Sequence, residues 1–157
     1  MKILVDANLW LRSAQPNHPQ HAQATSASIS LRAAGHSLVV VPQVLYEFWV
    51  VATRPIEQNG LGFSASRTAA EIEALLAACP MHSDDRLIFE AWHELVSKHQ
   101  VLGKKAHDAR LVAAMLRHGV THLLTFNVQD FARFSEITVI PPEAATSLPP
   151  TEAVSTA

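Results

Sequence analysis

The sequence predicts an α/β fold of three layers (α/β/α), in which a central parallel β-sheet lies between two layers of helices. Two observations support this prediction. Short apolar segments alternate along the chain with longer segments of helical character, an order typical of parallel sheets covered by helices. The apolar segments also lack the alternation of apolar and polar residues that marks strands with one solvent-facing side, as expected for strands buried on both faces.

Four short apolar segments are the strand candidates, each bounded by polar residues, glycine or proline. They cover residues 3–5, 38–41, 122–125 and 137–140. The first is stopped by Asp6, and its position in the chain suggests the centre of the sheet. Residues 80–82 are a further candidate for a short edge strand.

The segments between the strands carry helix signals. Gly35 and Gly119 stand where glycine commonly ends a helix, and Pro42 suits the first turn of one. The predicted helices cover about residues 9–11, 21–34, 43–53, 64–78, 86–98 and 106–118, with a turn or short helix near residues 130–134. The large apolar residues of the helix over 86–98, Phe89 among them, are expected in the core.

The composition indicates one globular domain. The length of 157 residues suits a single core, and 48% hydrophobic against 17% charged residues exclude a disordered chain. A lone cysteine, Cys79, excludes an internal disulfide and a cysteine-based zinc site. With no secretory segment and no apolar stretch of the roughly 18–20 residues that a membrane helix needs, we expect a cytoplasmic protein without a membrane partner. A domain over residues 1–142 and a flexible or surface-lying tail over residues 143–157 are expected.

Three acidic residues stand in apolar surroundings. Asp6 follows a strand directly, Glu47 shares its helix face with valines, and Asp108 lies in the first turn of a helix beside apolar residues. Each has a structural alternative, as a helix cap, an ion-pair partner or an N-terminal helix acid. Because ligands of parallel sheets bind at the carboxyl ends of the strands, we expect the three to converge there. Carboxylates held close raise one another's pKa unless a cation lies between them, and Mg²⁺ or Mn²⁺ prefers such oxygen ligands.

Polar residues after the third main strand extend this group. Asn127 and Asp130 follow the strand closely and either could complete the site, although Asp130 by itself is more readily explained as a cap for the next turn. Asn8, two residues beyond Asp6, and Thr125, at the strand's end, are placed to orient the carboxylates.

Four motifs therefore occur in series: residues 5–8 (VDAN), Glu47, residues 107–113 (HDARLVA) and residues 124–131 (LTFNVQDF). Together they resemble the PIN-domain nucleases, and within that family the VapC-type ribonuclease toxins of bacterial toxin–antitoxin pairs. The resemblance spans residues 1 to about 142. It implies a PIN-like fold with a parallel sheet, an acidic pocket for Mg²⁺ or Mn²⁺, and endonucleolytic cleavage of RNA.

The resemblance also implies a role for each acid. Asp6, Glu47 and Asp108 match the three acids that define the family: Asp6 and Asp108 as metal ligands, Glu47 as a further ligand or the acceptor of a proton from water. Asn127 stands where many relatives have aspartate, so Asn127 or Asp130 is expected to complete a second metal position. The expected catalytic residues are Asp6, Glu47, Asp108 and Asp130, and the expected metal ligands are Asp6, Asp108, Glu47 and Asn127.

The basic residues are unevenly distributed. A formal net charge of −2 argues against binding nucleic acid through bulk charge. However, Lys104, Lys105 and Arg110 lie close to Asp108 in the sequence. We expect these three to contact RNA phosphates, the alternative being that they form a solvated loop.

Protein partners are implied by the resemblance. Trp10, Phe48 and Trp49 are candidates for stacking RNA bases, although a place in the core or along a groove is favoured for them. In relatives such a groove receives the C-terminal segment of an antitoxin. Homodimers are also common among relatives. Two alternatives stay open, namely a PIN-like RNA-processing nuclease without an antitoxin and a catalytically silent α/β binding module.

Overall fold

The fold is seen in a computed structural model, which describes residues 1–151. Its centre is a parallel sheet of four short strands in the order β2-β1-β3-β4. The strands are β1 (Lys2–Val5), β2 (Ser37–Val39), β3 (His122–Leu124) and β4 (Thr138–Ile140). Leu4 pairs with Val39 on one side and with Leu123 on the other. The predicted parallel sheet, with the first strand in its interior, is confirmed.

Among the described residues, seven α-helices flank the sheet. They are α1 (Ala7–Ser13), α2 (His21–Ala33), α3 (Pro42–Thr53), α4 (Ala65–Ala78), α5 (Arg86–Lys98), α6 (Ala106–Arg117) and α7 (Val128–Phe131), with 3₁₀ turns at Ile56–Gln58, Gly103–Lys105 and Pro142–Ser147. The side chains of Asp6, Ser64 and Asp85 each accept a backbone N–H bond at the start of a helix. Gly35 and Gly119, at φ of +82° and +64°, follow the ends of α2 and α6 as predicted.

The core is continuous across the sheet. Residues 3–5 of β1 have no exposed surface, and Ala109, Val112 and Ala113 of α6 are equally buried. Helix α6 packs closely against α5. Asp108 lies in the first turn of α6.

Two predictions about local structure are wrong. Residues 80–82 form no strand, because only a single parallel bridge joins Met81 to Val40. Phe89 is 62% exposed, whereas Ile88 and Leu95 are the buried residues of α5. The pattern of α5 is that of an amphipathic helix, and Phe89 lies on its outer face against Trp92 and His93.

The segment after β4 lies against the domain. Its 3₁₀ turn Pro142–Ser147 packs on α2 and buries Ala145. The hydroxyl of Thr151 accepts a 3.0 Å hydrogen bond from the amino group of Met1. Residues 152–157 lie outside the described part, and the domain boundary at residue 142 stays a prediction. Within residues 1–151, no helix is both long and apolar enough to cross a membrane.

Candidate active site

The candidate active site lies where β1 and β3 end. Asp6 follows β1 and Thr125 follows β3, and the pairing of Val5 with Leu124 brings the two residues side by side. The Asp6 carboxylate accepts hydrogen bonds from the backbone N–H of Ala7 (2.7 Å), from Nδ2 of Asn8 (3.1 Å) and from the hydroxyl of Thr125 (2.6 Å). A carboxylate with three donors is therefore buried at the end of the central strands.

Asn8 and Thr125 also bind each other and the loop after β3. Nδ2 of Asn8 donates to the Thr125 hydroxyl over 3.0 Å, and Oδ1 of Asn8 accepts from the backbone N–H of Phe126 over 3.3 Å. The Thr125 hydroxyl accepts from the backbone N–H of Asn127 over 3.0 Å. These contacts fix the plane of the Asp6 carboxylate, and they support an orienting role for both residues.

Burial raises the pKa of Asp6 to about 6, from an ordinary value of 3.8. The hydrogen bond from Thr125 and that from Ala7 lower this pKa, while the negative charges of Glu47 and Asp108 raise it. Glu47 and Asp108 thus act electrostatically on Asp6. A cation among the three would favour their ionised forms, because opposite charge stabilises a carboxylate.

Glu47 enters the same pocket from α3. The pocket has a volume of about 440 Å³. Its polar lining residues are Asp6, Asn8, Tyr46, Glu47, Arg54 and Asn127, and its apolar lining residues are Ala7, Leu11, Val50 and Val51. Carboxylate and amide oxygens therefore face apolar side chains in one cleft.

Asp108 and Asp130 both lie close to the ammonium group of Lys105. The ammonium group of Lys105 contacts the Asp130 carboxylate and lies 3.7 Å from Oδ2 of Asp108. Burial, together with the charges of Asp130 and Glu47, raises the pKa of Asp108, whereas the charge of Lys105 lowers it. The hydrogen bond to Asp130 is the largest influence on Lys105 and raises the pKa of the lysine.

These groups fit a divalent cation by their chemistry, because carboxylate and amide oxygens are the ligands that Mg²⁺ and Mn²⁺ prefer. The mutual repulsion of the carboxylates, through which Glu47 and Asp108 help to raise the pKa of Asp6, favours a cation here. As positioned, however, no three acidic, histidine or cysteine side chains among residues 1–151 lie close enough together to hold an ion. Asp6 and Glu47 line the pocket, while Asp108 and Asp130 share the Lys105 ammonium group beside it.

Two of the three predicted phosphate-binding cations already have carboxylate partners. Lys105 has the partners just described, and Arg110 donates from Nη2 to Oδ2 of Asp84 over 2.8 Å. Lys104 is exposed and makes no ion pair within the described residues. Of the expected aromatic residues, Phe48 is buried, Trp10 is half-buried and Trp49 is 38% exposed.

Three polar residues of the site were not among the predicted ones: Tyr46 and Arg54 line the pocket, and Gln43 contacts Glu47. Gln43 is buried on α3, one turn before Glu47, and donates from Nε2 to Oε1 of Glu47 over 2.9 Å. A polar residue four positions from a candidate catalytic acid shares its helix face, and that spacing is the signal that could have identified it.

Comparisons with known proteins bear on the family and the fold. The sequence model of the family described as PIN domain matches residues 3–137. No curated protein matches the chain.

Solved structures share the fold at low sequence identity. VapBC2 from Rickettsia felis, bound to a DNA fragment from its promoter, superposes with a TM-score of 0.68 at 12% identity, covering 90% of this chain and 98% of that one. VapBC-1 from nontypeable Haemophilus influenzae gives 0.65 at 14% identity, covering 91% and 99%. VapC20 from Mycobacterium tuberculosis, described as a sarcin–ricin loop cleaving toxin, gives 0.62 at 19% identity, covering 84% and 95%.

Proposed function

The chain belongs to the PIN-domain family, and from this premise we propose that it is a metal-dependent endoribonuclease that serves as the toxin of a toxin–antitoxin pair. The observation that carries the proposal is the Asp6 carboxylate. It is buried at the end of the central strands, oriented by three hydrogen bonds, and held at a raised pKa by burial and by Glu47 and Asp108. Burying a carboxylate costs free energy, and buried carboxylates with a shifted pKa are typical of catalytic or binding sites.

Asp6, Glu47 and Asp108 are the residues that would hold Mg²⁺ or Mn²⁺, with Asn127 at the rim. When bound, the ion supplies positive charge to the phosphoryl oxygens and lowers the pKa of a water molecule. Asn8 and Thr125 hold the Asp6 carboxylate in one orientation through their hydrogen bonds. Glu47 lines the pocket, and we propose that its carboxylate accepts a proton from the attacking water.

Hydrolysis by water fits these residues better than a covalent route. Among the described residues, the polar lining of the pocket consists of carboxylate, amide and guanidinium side chains together with the phenol of Tyr46, with no serine, cysteine or histidine. Carboxylates such as Glu47 are suited to accept a proton from water. We propose that water attacks phosphorus and that the P–O3′ bond breaks, which leaves a 5′-phosphate and a 3′-hydroxyl on the RNA. A 2′,3′-cyclic phosphate among the products would contradict this mechanism.

The partner we propose is an antitoxin whose C-terminal segment occupies the apolar side of the pocket. Tyr46 and Val50 of α3 are 65% and 54% exposed there, next to Glu47. A segment bound at this wall would cover the acids and block RNA. The neighbouring structures of Rickettsia felis and Haemophilus influenzae are described as VapBC assemblies, which supports this partner. We also propose a homodimer, on the resemblance to relatives.

The proposal is tested by incubating the purified protein with a panel of RNAs, including a sarcin–ricin loop oligonucleotide, in Mg²⁺, in Mn²⁺ and in EDTA. We expect cleavage only with the metals and loss of cleavage in Asp108→Asn. Metal-independent cleavage, or full activity in Asp108→Asn, would show contaminating nuclease or a different mechanism. Co-expression with an adjacent small gene, followed by loss of activity in the co-purified complex, distinguishes the toxin from a PIN-like nuclease that acts without an antitoxin.

A further inference from the structure

We propose that Gln43 is a positioning residue that fixes the carboxylate of Glu47, and that Arg110 acts through Gln43 and does not bind RNA. This inference rests on the proposed function and deepens it. It assigns Gln43 a role that its position on α3 alone does not reveal.

Both N–H groups and the carbonyl oxygen of the Gln43 amide form hydrogen bonds. Nε2 donates to Oε1 of Glu47 and to the backbone carbonyl of His107, each over 2.9 Å, and Oε1 accepts from Nη1 of Arg110 over 3.0 Å. Gln43 is 8% exposed. A primary amide offers two N–H donors and a carbonyl oxygen with two lone pairs, so the three partners use both donors and one of the two lone pairs.

The three partners also determine which way round the amide lies. A flipped amide would place its oxygen against the carboxylate of Glu47 and the carbonyl of His107, and its NH₂ group against the guanidinium of Arg110. Each of these contacts would place an acceptor against an acceptor or a donor against a donor. Gln43 therefore presents an N–H group to Glu47 in every arrangement that satisfies its neighbours.

This amide joins the two helices that carry catalytic acids. Glu47 lies on α3, and the His107 carbonyl belongs to the residue before Asp108 on α6. A single side chain thus contacts Glu47 directly and fixes the backbone next to Asp108. Loss of the amide would free the Glu47 side chain to rotate and would remove a link between α3 and the first turn of α6.

Arg110 is held on its other side by Asp84. Its Nη2 donates to Oδ2 of Asp84 over 2.8 Å, while Nη1 donates to Gln43. The side chains Asp84, Arg110, Gln43 and Glu47 form one hydrogen-bonded series that runs from the surface to the pocket. Because a charged donor polarises the amide it binds, Arg110 strengthens the N–H donation of Gln43 to Glu47.

The test is a double-mutant cycle with Gln43→Leu and Arg110→Met. For each variant, kcat and KM for RNA are measured together with the Mn²⁺ affinity by electron paramagnetic resonance. Gln23→Leu is the matched control, because Gln23 also donates to a glutamate, Glu143, over 3.2 Å but at an exposed position on α2.

We expect Gln43→Leu to lower kcat or Mn²⁺ affinity by about 10–100-fold, the usual effect of removing a residue that orients a metal ligand, with KM for RNA unchanged. Arg110→Met should have a smaller effect of the same kind, and the double variant should be no worse than Gln43→Leu alone. Gln23→Leu should match the unmodified protein.

Circular dichroism and thermal unfolding show whether each variant folds. If Gln43→Leu does not fold, Arg110→Met, at a half-exposed position, carries the same test through its kcat and Mn²⁺ affinity. Full kcat and Mn²⁺ affinity in a folded Gln43→Leu would overturn the inference and leave the proposed function intact. A raised KM in Arg110→Met that adds to the effect of Gln43→Leu would assign Arg110 to RNA binding instead. Absence of cleavage by the unmodified protein would overturn the function and the inference together.

Discussion

The hydroxyl of Thr125 donates a 2.6 Å hydrogen bond to Oδ2 of Asp6 across 119 positions of the sequence. Thr125 has no exposed surface, and its hydroxyl also accepts from Asn8 and from the backbone N–H of Asn127. One hydroxyl therefore connects the ends of β1 and β3 and sets the orientation of the most buried acid of the site.

We expect Thr125→Val to raise the pKa of Asp6 above its value of about 6, because the hydrogen bond that valine removes lowers that pKa. At pH 7 the activity or the Mn²⁺ affinity should fall by about 10–100-fold, and the acidic limb of the pH profile of kcat should move to higher pH. The pH profile of RNA cleavage measures both effects.

Thr68→Val is the control for this substitution. Thr68 is also fully buried, but its hydroxyl donates to the backbone carbonyl of Ser64, at the start of α4. Loss of stability is expected in both variants, and a displaced pH profile only in Thr125→Val. Equal profiles in the two variants would show that Thr125 has no orienting role.

Asp6 should make the metal-free protein less stable as the pH rises. Its pKa is about 6 in the folded state against an ordinary value of 3.8, so the folded state binds more protons between these values. The free energy of unfolding therefore falls as the pH rises from about 4 through 6, by about 3 kcal/mol for a shift of this size. Urea unfolding in EDTA from pH 4 to 8 measures the slope.

Asp6→Asn should flatten this slope, since asparagine does not titrate. Asp108, whose pKa is also raised, contributes with the same sign, so part of the slope should remain. Divalent ions should reverse the loss at pH 7.5, by about 2.7 kcal/mol at 100 times their dissociation constant, and should have little effect on Asp6→Asn. Parallel stability curves for the two proteins would contradict the raised pKa.

Asp6, Glu47 and Asp108 can each be identified from a short stretch of the sequence. An apolar run that ends in aspartate, a glutamate among valines and an aspartate in a first helical turn can each be identified without knowing what lies opposite. The partners cannot be identified in this way. Gln43 meets a carbonyl 64 positions away, and Lys105 meets Asp130 25 positions away. Such contacts depend on how α3 and the segment after β3 pack around α6, which no local pattern encodes.

The wrong prediction that Phe89 lies in the core shows a second limit of local sequence patterns. The periodicity of α5 identifies it as amphipathic, but periodicity alone does not decide how far around the helix the buried face extends. Because only Ile88 and Leu95 of α5 are fully buried, the apolar stripe is narrower than the sequence suggests.

Glu136 should have the opposite pH dependence to Asp6. Lys98 and His99 lie 2.6 and 3.0 Å from its carboxylate, and their hydrogen bonds lower its pKa to about 2 from an ordinary 4.5, against the effect of burial. This stabilisation is present above pH 4.5 and is lost as the pH falls towards 2. Glu136→Gln should cost about 1–2 kcal/mol at pH 7 and little near pH 2, as measured by urea unfolding. A cost independent of pH would show that the hydrogen bonds of Glu136, and not its charge, matter.

Lys104 and Lys105 should differ in their effect on RNA binding, although they are neighbours. Lys104 is exposed and has no ion-pair partner in residues 1–151, so its ammonium group is available to a phosphate. Lys104→Ala should raise KM and reduce the salt slope of binding by about 0.7, the value for one phosphate contact on a single strand. The slope is obtained from KM, or from the dissociation constant in EDTA, between about 50 and 200 mM salt.

Lys105→Ala should leave that slope unchanged, because the ammonium group of Lys105 already contacts Asp130 and lies 3.7 Å from Asp108. Its loss should instead raise the pKa of Asp108, which the charge of Lys105 lowers, and should move the acidic limb of the kcat profile to higher pH. The two alanine variants control for each other, since each removes one positive charge from the same 3₁₀ turn. Equal reductions of the salt slope would place both lysines on the RNA and would mean that the contacts of Lys105 with the acids are exchanged for phosphate when RNA binds.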